Sequence, residues 1–150
     1  MPTLFTRIIN GELPGRIVYT DDSVAAFLTI APLTPGHTLV VPRQEIDEWT
    51  DAPQPLLHHC LDVARRIGEA AKQAFDAPRA GLVIAGMEVP HMHIHVFPAW
   101  TLDDFSFDRA KQASDEELDQ AAARLRAALE QALREFLTPR VGACEAHGWC

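Results

Sequence analysis

An α+β fold is what this chain of 150 residues predicts, and three observations carry that expectation. Short β-type runs pair around a turn signal near the N-terminus. Two long segments, near 51–75 and 114–138, carry apolar residues at helical spacing. No regular strand–helix–strand alternation links them. With 47% apolar and 23% charged residues, the composition is ordinary for a globular chain with a core, and the length suits one domain over 1–138 with a tail at 139–150.

In order along the chain, residues 3–9 form one short helical turn, ended by Asn10-Gly11. Arg16–Thr20 and Val24–Thr29 are strands around Asp21-Asp22-Ser23, a hairpin signal. Residues 30–36, with two prolines and a glycine, are loop, and His37–Val41 is a β-branched run stopped by Pro42. A helix starts near Thr50 or Asp51 and runs to Phe75, with Leu57, Leu61, Ala64, Ile67, Ala71 and Phe75 on its apolar stripe. Ala80–Ala85 reads as a buried strand, and Glu88–Pro98 as a strictly alternating one. Trp100–Ala113 reads as loop with at most a short strand. Ser114 and Glu117 form a capping-box pattern that opens a second helix, with Leu118, Ala122, Leu125, Leu129, Ala132 and Phe136 on one stripe and Pro139 ending it.

Thirteen Lys and Arg against twenty-one Asp and Glu give a net charge of −8, which works against a nucleic-acid surface but not against a small phosphorylated ligand. Three cysteines at irregular spacing are a poor disulfide framework, so free thiols in a reducing compartment are expected. The first ten residues lack the apolar core of a signal peptide. The apolar stretches at Thr38–Pro42 and Gly81–Gly86 fall far short of the ~20 residues of a membrane span. A cytoplasmic protein, with neither membrane nor nucleic acid as partner, is the expectation.

Seven histidines are the unusual feature, and three of them stand in Val89-Pro90-His91-Met92-His93-Ile94-His95-Val96-Phe97-Pro98. On a strand His91, His93 and His95 share one face, each ~7 Å from the next, while Met92, Ile94 and Val96 pack on the core. Three readings follow. The rings are solvent-facing polar residues on a half-buried strand; or two of them hold a metal ion, with His37 or Glu88 as a third ligand; or they perform nucleophilic catalysis on phosphorus. The last uses all three rings and is preferred. A neutral imidazole attacks and leaves well near neutral pH, and its neighbours donate hydrogen bonds to phosphoryl oxygens or protonate the departing group.

His91–Phe97 resembles, at every position, the His-φ-His-φ-His-φ-φ signature (φ apolar) of the histidine triad (HIT) proteins. The likeness runs back to about residue 4, through Phe5-x-x-Ile8-Ile9-Asn10-Gly11-Glu12-Leu13-Pro14, Asp21-Asp22 to Phe27, and Pro32-Leu33-Thr34-Pro35-Gly36-His37-Thr38-Leu39-Val40-Val41-Pro42. It implies a HIT-like domain over 1–138, built as a five-stranded antiparallel sheet with a long helix and a C-terminal helix. It also implies a homodimer paired through residues 51–75. The implied activity is a nucleotide hydrolase or nucleotidyl transferase acting at the α-phosphate of a nucleoside 5′-phosphate derivative. His93 would be the nucleophile that becomes the nucleotidyl-histidine, His95 would contact the phosphate or leaving group, and His91 and His37 would orient and polarise the nucleophile.

Departures from the family pattern are specific. Thr3-Leu4-Phe5-Thr6 stands where many relatives carry a zinc-binding Cys-x-x-Cys, so no N-terminal structural zinc is expected. Thr29 replaces an acidic residue that contacts ribose, Ala85 replaces an Asn, and Met87-Glu88 replaces a polar pair ahead of the triad. These four are the implied substrate-binding positions, and Glu88 adds negative charge that disfavours polyphosphates or selects an amine leaving group. No cofactor is implied, and no residue pattern speaks to a divalent-ion requirement.

Other candidates have plainer readings. His58-His59-Cys60 lies on a helix, where neighbours point about 100° apart, and is read as a solvated face. Cys144-x-x-His147-x-x-Cys150 is read as a frayed tail, although with a fourth ligand it could hold zinc. Trp49, Trp100 and Phe105 are read as core or interface ahead of base stacking. Beside the enzyme stand a nucleotide-binding or protein-interaction module with little turnover and, more weakly, a metal-binding protein.

Overall fold

A computed structural model describes residues 1–138. Pro139, Cys144, His147 and Cys150, and with them the 139–150 tail, lie outside the described residues. The sheet has five antiparallel strands in the order β1-β2-β3-β5-β4: β1 (Ile17–Thr20), β2 (Val24–Leu28), β3 (Thr38–Pro42), β4 (Arg79–Val83) and β5 (Ile94–Ala99). Three helices accompany it: α1 (Leu4–Ile9), α2 (Gln54–Phe75) and α3 (Asp115–Leu137). Among the described residues, no helix is long and apolar enough to cross a membrane.

Strand alternation sorts the two faces of the sheet. Val24 and Ala26 of β2, Val40 of β3, and Ile94 and Val96 of β5 pack on Cys60, Val63, Ala64 and Ile67 of α2. α3 lies outside α2, with Leu118, Ala122 and Leu125 on Ala70 and Ala71. Burying Ile67 or Leu125 contributes roughly 1.5–3 kcal/mol each. Phe27, Leu39 and Val41 point to the other face and meet Phe5 of α1. Helices thus seal one face, and the histidine cluster shares the other with α1.

Several expectations are corrected. α2 begins at Gln54, because Pro53 drives Ala52 into extended backbone and separates the helix from a 3-10 turn at Trp49–Asp51. Leu61 is exposed and Cys60 takes the buried position, while Phe136 and Ala132 project beyond the packed part of α3. β4 runs Arg79–Val83, so Ile84 and Ala85 leave the ladder. Residues 102–109 contain no strand but two 3-10 turns, Leu102–Phe105 and Phe107–Arg109. The first is capped by Thr101, and Asp104 accepts the Trp100 and Thr101 amides.

The most consequential correction concerns the histidine segment, whose strand begins at Ile94 rather than Glu88. The register pairs Val40 with Ile94 and Thr38 with Val96, so continuing it would set Met92 opposite Pro42, which has no N–H to give. Met92 donates its amide to the Ile46 carbonyl instead (2.7 Å), and the Pro42 carbonyl is taken by a histidine ring.

Candidate active site

His95 is the one triad residue inside the ladder, paired with Leu39 on β3 and Val83 on β4. His93 and His91 precede it on irregular backbone, and His37 opens the approach to β3. Gly36 makes that approach possible: its φ of +92° suits glycine, and a Cβ there would strike the Phe75 ring. His37, His93 and His95 come together, with the His93 and His95 ring centroids 4.9 Å apart and those of His37 and His95 5.2 Å apart. Phe5 meets His93 edge-on at 4.9 Å, and Phe107 meets His95 at 4.9 Å.

Hydrogen bonds assign the protons. The Leu33 amide donates to His37 Nδ1 (3.0 Å), which leaves the His37 proton on Nε2 to be donated to His95 Nδ1 (3.0 Å). His95 therefore carries its own proton on Nε2. His93 donates Nδ1–H to the His91 carbonyl (2.8 Å), so its Nε2 holds a free lone pair. Every fully buried side-chain nitrogen or oxygen among the described residues has a partner. The unpartnered Nε2 atoms of His93 and His95 therefore reach solvent, although His93 is only 5% exposed overall. A bare lone pair stands beside an N–H donor.

Burial favours the neutral form of His37 and His95. It pushes His37 down to about 3, with the neighbouring His95 and His93 adding to the effect, and His95 down to about 4, with His93 adding. His91, fully buried, is also lowered by burial, against the opposing pull of the Pro42 carbonyl bond and of Glu45. Its Nε2–H donates to the Pro42 carbonyl (2.6 Å), and its Nδ1 accepts from the Thr3 hydroxyl (2.7 Å).

The HIT domain profile matches residues 10–101, from the Asn10-Gly11 turn through the histidine segment. The chain belongs to the HIT family. An uncharacterized HIT-like protein of Borreliella burgdorferi is 39% identical to this HIT chain over 116 residues, 73% of this chain and 84% of that one. A Zn-bound histidine triad family protein from Mycobacterium smegmatis has a similar structure, with a TM-score of 0.77 at 32% identity over 88% of this chain and 96% of that one. So has a hypothetical histidine triad nucleotide-binding protein from Sulfolobus tokodaii, with a TM-score of 0.79 at 28% identity over 92% and 99% of the two chains.

The remaining sequence candidates of this HIT chain separate into near and far. Thr29 is half-buried and adjoins the cluster, its amide donating to the His37 carbonyl (3.2 Å) and its hydroxyl accepting from Ala31. Ala85, Met87 and Glu88 are exposed on the loop between β4 and β5. Phe105 packs inward on Phe97, and Trp49 and Trp100 are exposed; besides Phe5, the aromatic that meets the triad, at His95, is Phe107, which sequence reasoning missed. It sits in a segment with no periodicity to reveal it. His59 is not simply solvated: its Nε2 meets Asp21 at 2.7 Å, while His58 is exposed.

Thr3 and Thr6 meet Glu45 and His91 at the end where relatives carry Cys-x-x-Cys. Two hydroxyls, a carboxylate and an imidazole already bonded on both nitrogens do not fit a structural zinc, which favours thiolates and free imidazole nitrogens. At the triad only two ring nitrogens lack a protein partner, His93 Nε2 and the protonated His95 Nε2, since His37 has both of its nitrogens engaged.

Proposed function

We propose that the protein is a nucleotide hydrolase or nucleotidyl transferase, acting at the α-phosphate of a nucleoside 5′-phosphate derivative through a nucleotidyl-His93 intermediate. The observation that carries this reading is that the His93 Nε2 lone pair and the His95 Nε2–H both lack a protein partner and reach solvent, on rings whose centroids lie 4.9 Å apart. His93 Nε2 bonds to phosphorus as the bond to the leaving group breaks, and the leaving group departs with the electron pair and takes a proton from water. Positive charge developing on the His93 ring is shared through Nδ1–H with the His91 carbonyl. His95 Nε2–H, aimed by His37, donates to a phosphoryl oxygen as negative charge grows there. Attack of water on phosphorus then breaks the phosphorus–nitrogen bond and returns the neutral ring. The similarity to a hypothetical histidine triad nucleotide-binding protein from Sulfolobus tokodaii agrees with this substrate class.

Hydrolysis of adenosine 5′-phosphoramidate, or of an adenylated substrate, tests the reading. Wild type is expected to turn over at least one, and His93→Ala none. Wild-type inactivity on both, with nucleotide affinity kept, would replace it by a binding module with little turnover. Glu88→Gln is expected to shift preference toward polyphosphate leaving groups, and an unchanged preference would remove Glu88 from the site. We also propose a homodimer paired through α2, where Leu61 stands exposed on the outer face, and no zinc at the Thr3–Thr6 end.

A further inference from the structure

We propose that Thr3 and Glu45 are positioning residues for the chemistry at His93, acting through the His91 ring and the peptide between His91 and Met92. The inference rests on the reading of His93 as nucleophile, and it adds two residues far from the triad in sequence.

One chain of bonds connects them. Glu45 Oε1 accepts both the Thr3 amide and the Thr6 hydroxyl, each at 2.7 Å. Thr3 caps α1 by accepting the Thr6 amide (3.2 Å), and its hydroxyl proton goes to His91 Nδ1 (2.7 Å). The His91 ring is fully buried and spends its other nitrogen on the Pro42 carbonyl. Without the Thr3 hydroxyl, a buried Nδ1 lone pair would have no donor, and a buried unmet acceptor is relieved by moving or by taking up a proton.

Movement at His91 reaches His93 directly. The amide of the 91–92 peptide is held by the Ile46 carbonyl at 2.7 Å, and Ile46 adjoins Glu45. The carbonyl of that same planar peptide takes the His93 Nδ1 proton at 2.8 Å. Fixing the amide direction therefore fixes the carbonyl that selects the His93 tautomer. Residues 45–46 grip α1 with a side chain and the triad backbone with a carbonyl. Phe5, the second residue of α1, also lies edge-on to His93. Thr3, Glu45 and Ile46 thus aim the reactive ring without touching substrate.

The test uses the full chain with Thr3→Val, Thr3→Ser and Glu45→Ala. It reads kcat and KM on adenosine 5′-phosphoramidate, the thermal midpoint, and the imidazole ¹⁵N signals of His91 and His93. Thr3→Val is expected to lower kcat by about ten- to a hundredfold with KM within about twofold, as a misaimed nucleophile does. It is also expected to move the His93 signals away from a pure Nδ1–H tautomer. Thr3→Ser restores both, and Glu45→Ala shows the same loss more weakly. A lowered midpoint with wild-type kcat and wild-type ¹⁵N signals would make these residues a structural staple and overturn the inference. If wild type turns over no substrate, the His93 reading fails instead, and the ¹⁵N signals alone decide whether Thr3 governs the ring. If Thr3→Val does not fold, Glu45→Ala decides by the same readouts.

Discussion

His93 and His95 are bonded to neutral partners only: a main-chain carbonyl, a second imidazole and, behind that, an amide. His59, on α2, meets the Asp21 carboxylate at 2.7 Å instead. Asp21 also accepts the Tyr19 hydroxyl at 2.7 Å and the Ser23 and Val24 amides at 2.8 Å each. Burial pushes the Asp21 carboxyl up, but the donors from Tyr19, Ser23, His59 and Val24 outweigh it and hold it well below the usual carboxylate range. In one region burial without a counter-charge keeps His37 and His95 neutral, and a main-chain carbonyl leaves the His93 Nε2 lone pair free. In the other a carboxylate uses a ring to tie the β1–β2 turn to a helix. The neighbours make one histidine a candidate reagent and the other a clasp.

After the loss of the nucleophile itself, His95→Phe is expected to break the first region most severely. It keeps the ring stacking with Phe107 but deletes the Nε2–H, and kcat should fall by roughly 10²–10³-fold, the loss expected for one donor to a developing oxyanion. Steady-state kinetics decide it. A loss of less than about threefold would mean that the paired lone pair and donor are not the working unit.

Acid titration of stability separates the regions next. His37 at about 3 and His95 at about 4 bind fewer protons folded than unfolded, where the ordinary value is 6.5. Stability is therefore full above pH ~6.5 and is lost as pH falls toward 4, by about 1 kcal/mol per group per pH unit. Asp21, lowered from 3.8, keeps its contribution throughout that window and loses it only below about pH 4. Thermal melts across pH 3–8 should show His37→Gln with a flatter slope between 6.5 and 4. Asp21→Asn should leave that slope intact.

Much of this contrast was legible in the sequence, and its limits have physical causes. Periodicity located α2, α3 and the apolar side of β5, because Ala64 and Ile67, Leu118 and Leu125, and Ile94 and Val96 obey one face each. The triad spacing pointed to a row of rings, yet the ladder starts only at Ile94. That boundary depends on what stands opposite, and Pro42 is 52 residues away from Ile94 in sequence. The Thr3–His91 and Thr6–Glu45 bonds were illegible for a like reason, since partners 88 and 39 residues apart leave no local pattern. His59 looked solvated because helix geometry alone cannot reveal a carboxylate supplied by a hairpin turn. Local rules found the elements, and the tertiary partners decided the chemistry.

The smallest expected effects lie within the Asp21 region, and they ask whether its histidine is a clasp at all. Asp21→Ala strips an acceptor from one hydroxyl, two amides and the His59 ring and should cost about 2 kcal/mol in urea unfolding. His59→Ala removes one of four donors from a partly exposed site and should cost about 1 kcal/mol. His58→Ala, one residue away and exposed, should stay within about 0.5 kcal/mol. All three variants should keep wild-type kcat, because Asp21 and His59 lie beside β1 and α2, on the helix-covered side of the sheet, and the triad faces the other. If His58 and His59 proved equal in cost, the Asp21 contact would be a surface pairing without consequence. The contrast between the two regions would then reduce to burial alone.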